Sequence, residues 1–179
     1  MADNELMKIF IMKKYLFFIA LIFFIACSKS HETTALNTVD TEFMQEVSLA
    51  NFAAIDAALV ADTNADDASV KSFANRVMAT QPAMQNSLTT LAASLNVMLP
   101  SEADSIHKKK IAYLATLKGP LFDKSYINAQ VTDYENTLSL FNKELSNGSN
   151  TEVINFARTY LPVIVQQSTN ASDIQALLN

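Results

Sequence analysis

From Asp40 to the C-terminus apolar residues return every third or fourth position, and only Gly119 and Gly148 supply glycine in 179 residues. Ordinary usage of about 7% would place roughly 12 glycines in such a chain, so the backbone has few positions for the tight turns that a strand-rich protein needs. No segment alternates apolar and polar residues long enough to demand a strand. The pattern predicts an all-α fold, with four long helices and one shorter one making a single domain over residues 40–179. About 140 residues can bury roughly two thirds of their unfolded surface, so no second core is required.

The first helix is expected from Asp40 to Ala61, with Val47, Ala50, Ala54, Ala57 and Ala61 on one stripe and Phe52, Ile55 and Leu59 beside it. Asp66 or Asp67 can cap the second, which runs to Asn96 with Val70, Ala74, Val77, Gln81, Met84, Leu88, Leu91 and Leu95 in register. Pro82 lacks an N–H and its ring meets the carbonyl of Met78, which predicts a kink. A third helix from Ser101 has Glu102 and Asp104 in its first turn and Ile106, Tyr113, Leu114 and Leu117 as its apolar face. After Gly119-Pro120, the fourth spans Leu121 to Ser146 on a stripe that includes Ile127, Val131, Tyr134, Leu138, Phe141 and Leu145. Gly148 is suited to a left-handed helix end. The last helix starts near Thr151 and turns Val153, Ala157, Tyr160, Ile164, Gln167, Ala171 and Ile174 to one side, with Pro162 a point of bending. Gln81, Tyr134 and Gln167 are thus the polar members of apolar stripes. They either satisfy one another in a dry core or line a cavity opened at Pro82.

The N-terminus carries an address. Lys13 and Lys14 precede a twelve-residue apolar run, Tyr15 to Ala26, too short for the roughly 20 residues that a membrane-spanning helix needs. A basic segment, an apolar segment and the small residue Ala26 follow the order of a secretory signal over residues 1–26, with Met12 the expected start. Phe24-Ile25-Ala26-Cys27 resembles the lipobox of bacterial lipoproteins, with Phe24 in place of the usual Leu. This resemblance implies cleavage before Cys27, diacylation of its sulfur and stable membrane attachment through two or more acyl chains. Ser28 after the cysteine resembles lipoproteins sorted to the outer membrane, facing the periplasm or the cell surface. Residues 27–39 then form the lipidated end and a polar tether.

Chemistry is harder to find. Thirteen basic against 18 acidic residues, net −5, give no electrostatic footprint for nucleic acid. A single cysteine excludes a disulfide framework, and neither glycine lies in a phosphate-binding motif. A nucleophilic triad needs a histidine base, but His31 falls in the tether and His107 stands beside Lys108, Lys109 and Lys110 on an expected solvated face. No Glu-x-x-His pair of a di-metal bundle occurs; Asp133 and Glu135, with Glu144 and His107, are the only candidate ligands.

Val70-Lys71-x-Phe73-Ala74-x-x-Val77-Met78, Leu99-Pro100, Gly119-x-x-Phe122-Asp123-x-x-Tyr126, Gln130-Val131-x-Asp133-x-Glu135, Leu140-Phe141 with Glu144, and Phe156-Ala157 with Leu161-Pro162 occur in that order. Together they resemble bacterial domain-of-unknown-function family 4142. The resemblance implies an exported, ferritin-like antiparallel bundle with no established activity. It also implies Asp-His where Gln81-Pro82 stands, His at Tyr134, often His near Gln166 or Gln167, and Glu near Ala54. Amide and phenol replace imidazole and carboxylate poorly toward a transition metal, so a family metal site is expected to be disabled. The reading is a lipid-anchored, non-enzymatic binding or structural module without a cofactor, serving an envelope partner or a small ligand. The alternative is a ferritin-like metal or redox protein of the periplasm.

Overall fold

The computed structural model describes residues 34–179, so the leader, Cys27 and the first part of the tether lie outside the described residues. The described residues form five helices: α1 Thr38–Asn64, α2 Ala68–Ser94, α3 Ser105–Ala115, α4 Gly119–Asn147 and α5 Thr151–Leu178. Each start except that of α4 is capped by a side chain of Asn37, Asp67, Asp104 or Asn150, which accepts from the free N–H groups of the first turn. At α4 Pro120 does the work instead, since its missing N–H is one the helix start would leave unpaired anyway. Gly119 adopts φ +58°, which allows the chain to turn sharply out of α3. α2 ends on Asn96 at φ 56°, with the Val97 N–H reaching the Ala92 carbonyl at 2.8 Å, so the short amide residue takes the left-handed position that usually falls to glycine.

α1 packs on α2 and α4, and α5 packs on α4 and α2. Side-chain bonds give the directions. Asn37 before α1 donates to the Asn147 carbonyl at the end of α4 at 2.9 Å, and Tyr160 early in α5 donates to Ser87 late in α2 at 2.7 Å. α1 is therefore antiparallel to α4, and α5 to α2, while each short turn makes a further antiparallel pair. The order is up, down, down, up. The α2–α4 connection must return along the length of the bundle, and α3 lies in that return, packed against α1. One long crossover between two helical hairpins is the ferritin-like arrangement.

The core follows the expected stripes for Val70, Ala74, Val77, Met84 and Leu88 of α2, Ile127, Val131 and Phe141 of α4, and Val153, Ala157, Ile164 and Ala171 of α5. Phe43 meets the Phe141 ring edge-on at 5.0 Å near one end, and Phe73 meets Tyr126 and Tyr134, each at 6.1 Å, toward the other. Helix secondary structure continues unbroken through Pro82 and Pro162. Pro82 is exposed, so the ring occupies solvent rather than the core.

Several expectations are corrected. α1 starts at Thr38, and residues 34–37 are held against the bundle: the Thr34 hydroxyl donates to the Ser149 carbonyl at 2.5 Å and the Asn150 amide donates to the Thr34 carbonyl at 2.7 Å. Residues 34–39, assigned to the tether by the sequence, thus belong to the folded bundle. On α1, Phe43, Met44 and Val47 are buried, whereas Phe52 and Ile55 are half-buried and Leu59 is exposed, because α3 covers this side only in part. α3 begins at Ser105 rather than Ser101, since Asp104 caps it, and a helix on the outside of the bundle buries one side chain only, Leu114; Ile106 and Tyr113 are exposed. Gly148 has φ −63°, so handedness is not what requires glycine there.

Candidate functional site

At mid-length of the bundle, α1 and α4 part enough to leave a cleft of about 350 Å³, a size that suits a small ligand. Alanines make this possible. Ala50, Ala53 and Ala54 form the α1 wall and leave room where longer side chains would close the gap, while Leu140 of α4 adds apolar surface opposite. Gln81 of α2 and Gln130 and Tyr134 of α4 line the inner part, each at most 3% exposed. Glu46, His107 and Asp133 stand toward solvent.

The inner groups are imperfectly satisfied. Gln81 Nε2 donates to the Tyr134 hydroxyl at 3.0 Å, but Gln81 Oε1 has no partner, and neither does Gln130 Oε1. Burial raises the Tyr134 phenol well above its ordinary range; the Gln81 bond offsets part of this and Asp133 adds to it, so the hydroxyl stays protonated at neutral pH. The phenol of Tyr126, one turn before Gln130 in α4, is also buried without a partner and is likewise raised by burial and by Tyr134. Unpaired buried polar atoms cost about 1–3 kcal/mol each, so several in one region mark a place where water or a ligand completes the bonding.

The sequence matches the family described as Domain of unknown function (DUF4142) over residues 26–174. The chain belongs to that family. A crystal structure of a DUF305 fragment from Deinococcus radiodurans shares the fold, with a TM-score of 0.67 at 14% identity, covering 80% of this chain and 97% of that one. No curated protein matches the sequence.

Ala54, Gln81 and Tyr134, from three different helices, line this cleft together. Gln167 does not join them: its Nε2 reaches the Thr80 hydroxyl at 3.4 Å, and its Oε1 is unpaired. The expected three-way cluster is therefore a Gln81–Tyr134 pair with Gln167 apart, because α5 packs on the other side of α2 from the cleft. The four candidate metal ligands are also not brought together. His107 and Asp133 share the cleft, but Asp133 accepts from Lys110 at 2.6 Å, and His107 Nδ1 lies 2.9 Å from Asp104. Glu135 is exposed, and Glu144 is fully buried at the base of the bundle. Among the described residues no group of three or more His, Cys, Asp and Glu side chains is placed to hold a metal. The amide and the protonated phenol in the cleft do not fit a transition metal either.

His107 is partly buried and faces the cleft rather than standing on a fully solvated face. Its backbone N–H donates to Asp104 at 2.8 Å, the main reason that the Asp104 carboxyl lies below its ordinary range, followed by the ring's own bond to it. The His107–Asp104 pair serves as a helix cap, and no hydroxyl bonds to the His107 ring among the described residues.

Sequence periodicity missed three buried carboxyl groups. The Asp40 carboxylate accepts the N–H groups of Asn37 at 2.7 Å, Ser149 at 2.9 Å and Asn150 at 3.1 Å, and so ties the start of α1 to the α4–α5 turn. Asp123 does the corresponding work at the far end, accepting from Asp66 at 3.1 Å and Asp67 at 3.0 Å in the α1–α2 turn. Each hairpin's turn is thus clasped by a carboxylate from the first helix of the other. Glu144 lies beside Asp40 with both oxygens buried and no conventional partner; burial first, and Asp40 second, push its carboxyl up to about 8. One signal was present: Asn37-x-x-Asp40 is a capping box, which places Asp40 at a helix start.

Proposed function

We propose that this DUF4142 chain is a non-enzymatic binding module of the bacterial envelope, anchored in the outer membrane by lipid on Cys27, that holds a small polar ligand in the α1–α4 cleft. The observation that carries the reading is the cleft itself: alanine-walled, open to solvent, and lined at its inner end by Gln81 and Gln130, whose Oε1 atoms have no partner. Fixed polar groups on rigid helices, flanked by apolar surface, are what recognition of a small molecule needs. The lipobox supports the anchoring, and the engagement of the His107 ring with Asp104 in a helix cap supports binding over catalysis.

Ala54→Trp tests the reading, because Ala54 is only half-buried and an indole there would fill the cleft while leaving the core intact. Native mass spectrometry of full-length protein released from its own membranes should show an additional small mass on the wild type that is absent from an equally folded variant. A wild type that shows only the mass of its own chain, as the variant does, would refute small-ligand binding. Cys27→Ala should move the protein from the membrane to the soluble envelope fraction; a variant that stays with the membrane would refute lipid anchoring.

A further inference from the structure

The segment that leads into α1, residues 34–37, is strapped to the α4–α5 turn. The Thr34 hydroxyl donates to the Ser149 carbonyl at 2.5 Å and accepts the Thr151 N–H at 3.1 Å, and the Asn37 amide donates to the Asn147 carbonyl at 2.9 Å. Asp40 joins the two sides, since one carboxylate accepts N–H groups from Asn37 in the strap and from Ser149 and Asn150 in the turn. Glu144 lies against that carboxylate, fully buried, and neither of its oxygens has a conventional partner. Two carboxyl groups in contact away from water are compatible only when they share a proton. The N–H groups on both Asp40 oxygens make Asp40 the anion and leave Glu144 to carry the proton. Thr34 and Ala35 are exposed and only Leu36 of the strap packs on the core, so lifting it loses little apolar contact. We propose that the Glu144 proton latches this strap: when the proton leaves, residues 34–37 lift from the α4–α5 turn and admit water to the two carboxylates.

The other charges at this end leave Asp40 as the group that meets Glu144. Lys143 of α4 pairs with Glu42 of α1 at 2.9 Å, both exposed; α5 brings Glu152, half-buried in its first turn, and an exposed Arg158; and α2 carries no charged residue after Arg76. The closed strap favours protonated Glu144 and the open strap favours the ionised form, so the strap opens as pH rises. Burial and Asp40 hold the closed form's carboxyl up to about 8, whereas water returns the open form toward 4.5, which places the opening midpoint between about 6.5 and 8. The far end of the bundle differs. Asp123 clasps the Asp66 and Asp67 N–H groups in the same manner, but the remaining fully buried carboxyl groups among the described residues, Asp40 and Glu144, are at the strap. Under the lipid-anchoring reading, release would add four residues, about 14 Å of extended chain, between Cys27 and the bundle; the release itself does not depend on that reading.

Methyl-resolved NMR of the full chain in detergent micelles, from about pH 5 to 9, tests the latch. The Leu36 methyl signals of the wild type should move from packed to solvent-exposed positions across this range, while the buried Ala65 methyl, next to the Asp66–Asp67 turn, stays in place. Glu144→Gln should hold the Leu36 signals at their low-pH positions throughout. Thr34→Val removes two strap bonds without touching a charge, so it should move the wild-type midpoint down by about half to one pH unit. Thr34 is exposed, so this variant keeps the fold and tests the coupling even where Glu144→Gln does not fold. Leu36 signals that never move would overturn the proposal. So would Leu36 and Ala65 moving together, which would mean that the bundle opens as a whole, or the same Leu36 transition in Glu144→Gln, which would assign it to another group. A midpoint that Thr34→Val leaves unchanged would show that strap and proton are uncoupled.

Discussion

Glu144→Gln isolates the most unusual electrostatic feature of the bundle. The side chain is fully buried, neither oxygen has a conventional partner, and the neighbouring Asp40 already spends its oxygens on the N–H groups of Asn37, Ser149 and Asn150. Its carboxyl therefore holds a proton up to about 8 in the folded protein, against 4.5 when free. Between those values the folded state binds a proton that the unfolded state has released, so the stability difference falls as pH rises. The contribution is fully present below 4.5, declines through the interval and is lost above about 8. At 1.36 kcal/mol per pH unit the whole interval amounts to about 5 kcal/mol, and about 3–5 kcal/mol is the expected range. A glutamine keeps the shape, cannot ionise and can donate its N–H to Asp40, so the variant should lose this pH dependence. Urea unfolding of both proteins from pH 4 to 9.5 measures it: the variant should gain on the wild type steadily above pH 5 and be the more stable protein by pH 9. Curves that stay parallel across the whole range would refute the reasoning, because they would mean that Glu144 ionises alike in the folded and unfolded states.

Gly148→Ala should destabilise the fold by about 1–3 kcal/mol, since an added Cβ would stand 2.6 Å from the Glu144 backbone carbonyl, a neighbour that cannot swing aside; denaturant unfolding checks it. Asp123→Ala should cost about 2–4 kcal/mol by stranding the Asp66 and Asp67 N–H groups, and hydrogen exchange should speed up at those two amides before the rest of the bundle. Gln81→Leu should cost about 1–3 kcal/mol by leaving the Tyr134 hydroxyl without its partner, and Gln81→Leu with Tyr134→Phe should cost less than the two changes summed, a coupling that a double-mutant cycle reads directly.

Apolar spacing decided a great deal before any packing was considered. Scarce glycine and unbroken three–four periodicity meant helices, and the stripes of α2, α4 and α5 identified the residues that form the core, including the inward Gln81, Tyr134 and Gln167. Lone helices say nothing about their neighbours, however. Ile106 and Tyr113 lie on the apolar face of α3 yet are exposed, because a crossover helix on the outside of the bundle has a neighbour on only part of its circumference. Asp40, Asp123 and Glu144 lie off the apolar stripes and are nevertheless buried, because helix ends are roofed by turns that arrive from the other hairpin, more than 50 residues away in the chain for Asp123 and more than 100 for Asp40. The cleft was legible only in part: a cavity lined by Gln81 and Tyr134 was one of two readings, but Ala54, Gln81 and Tyr134 come from three helices, and only the up-down-down-up order sets them side by side. Periodicity is a property of one helix at a time and so determined what each segment is and which way it faces. Which polar groups are deprived of water depends on surfaces that meet across the chain, and that was decided by the tertiary structure alone.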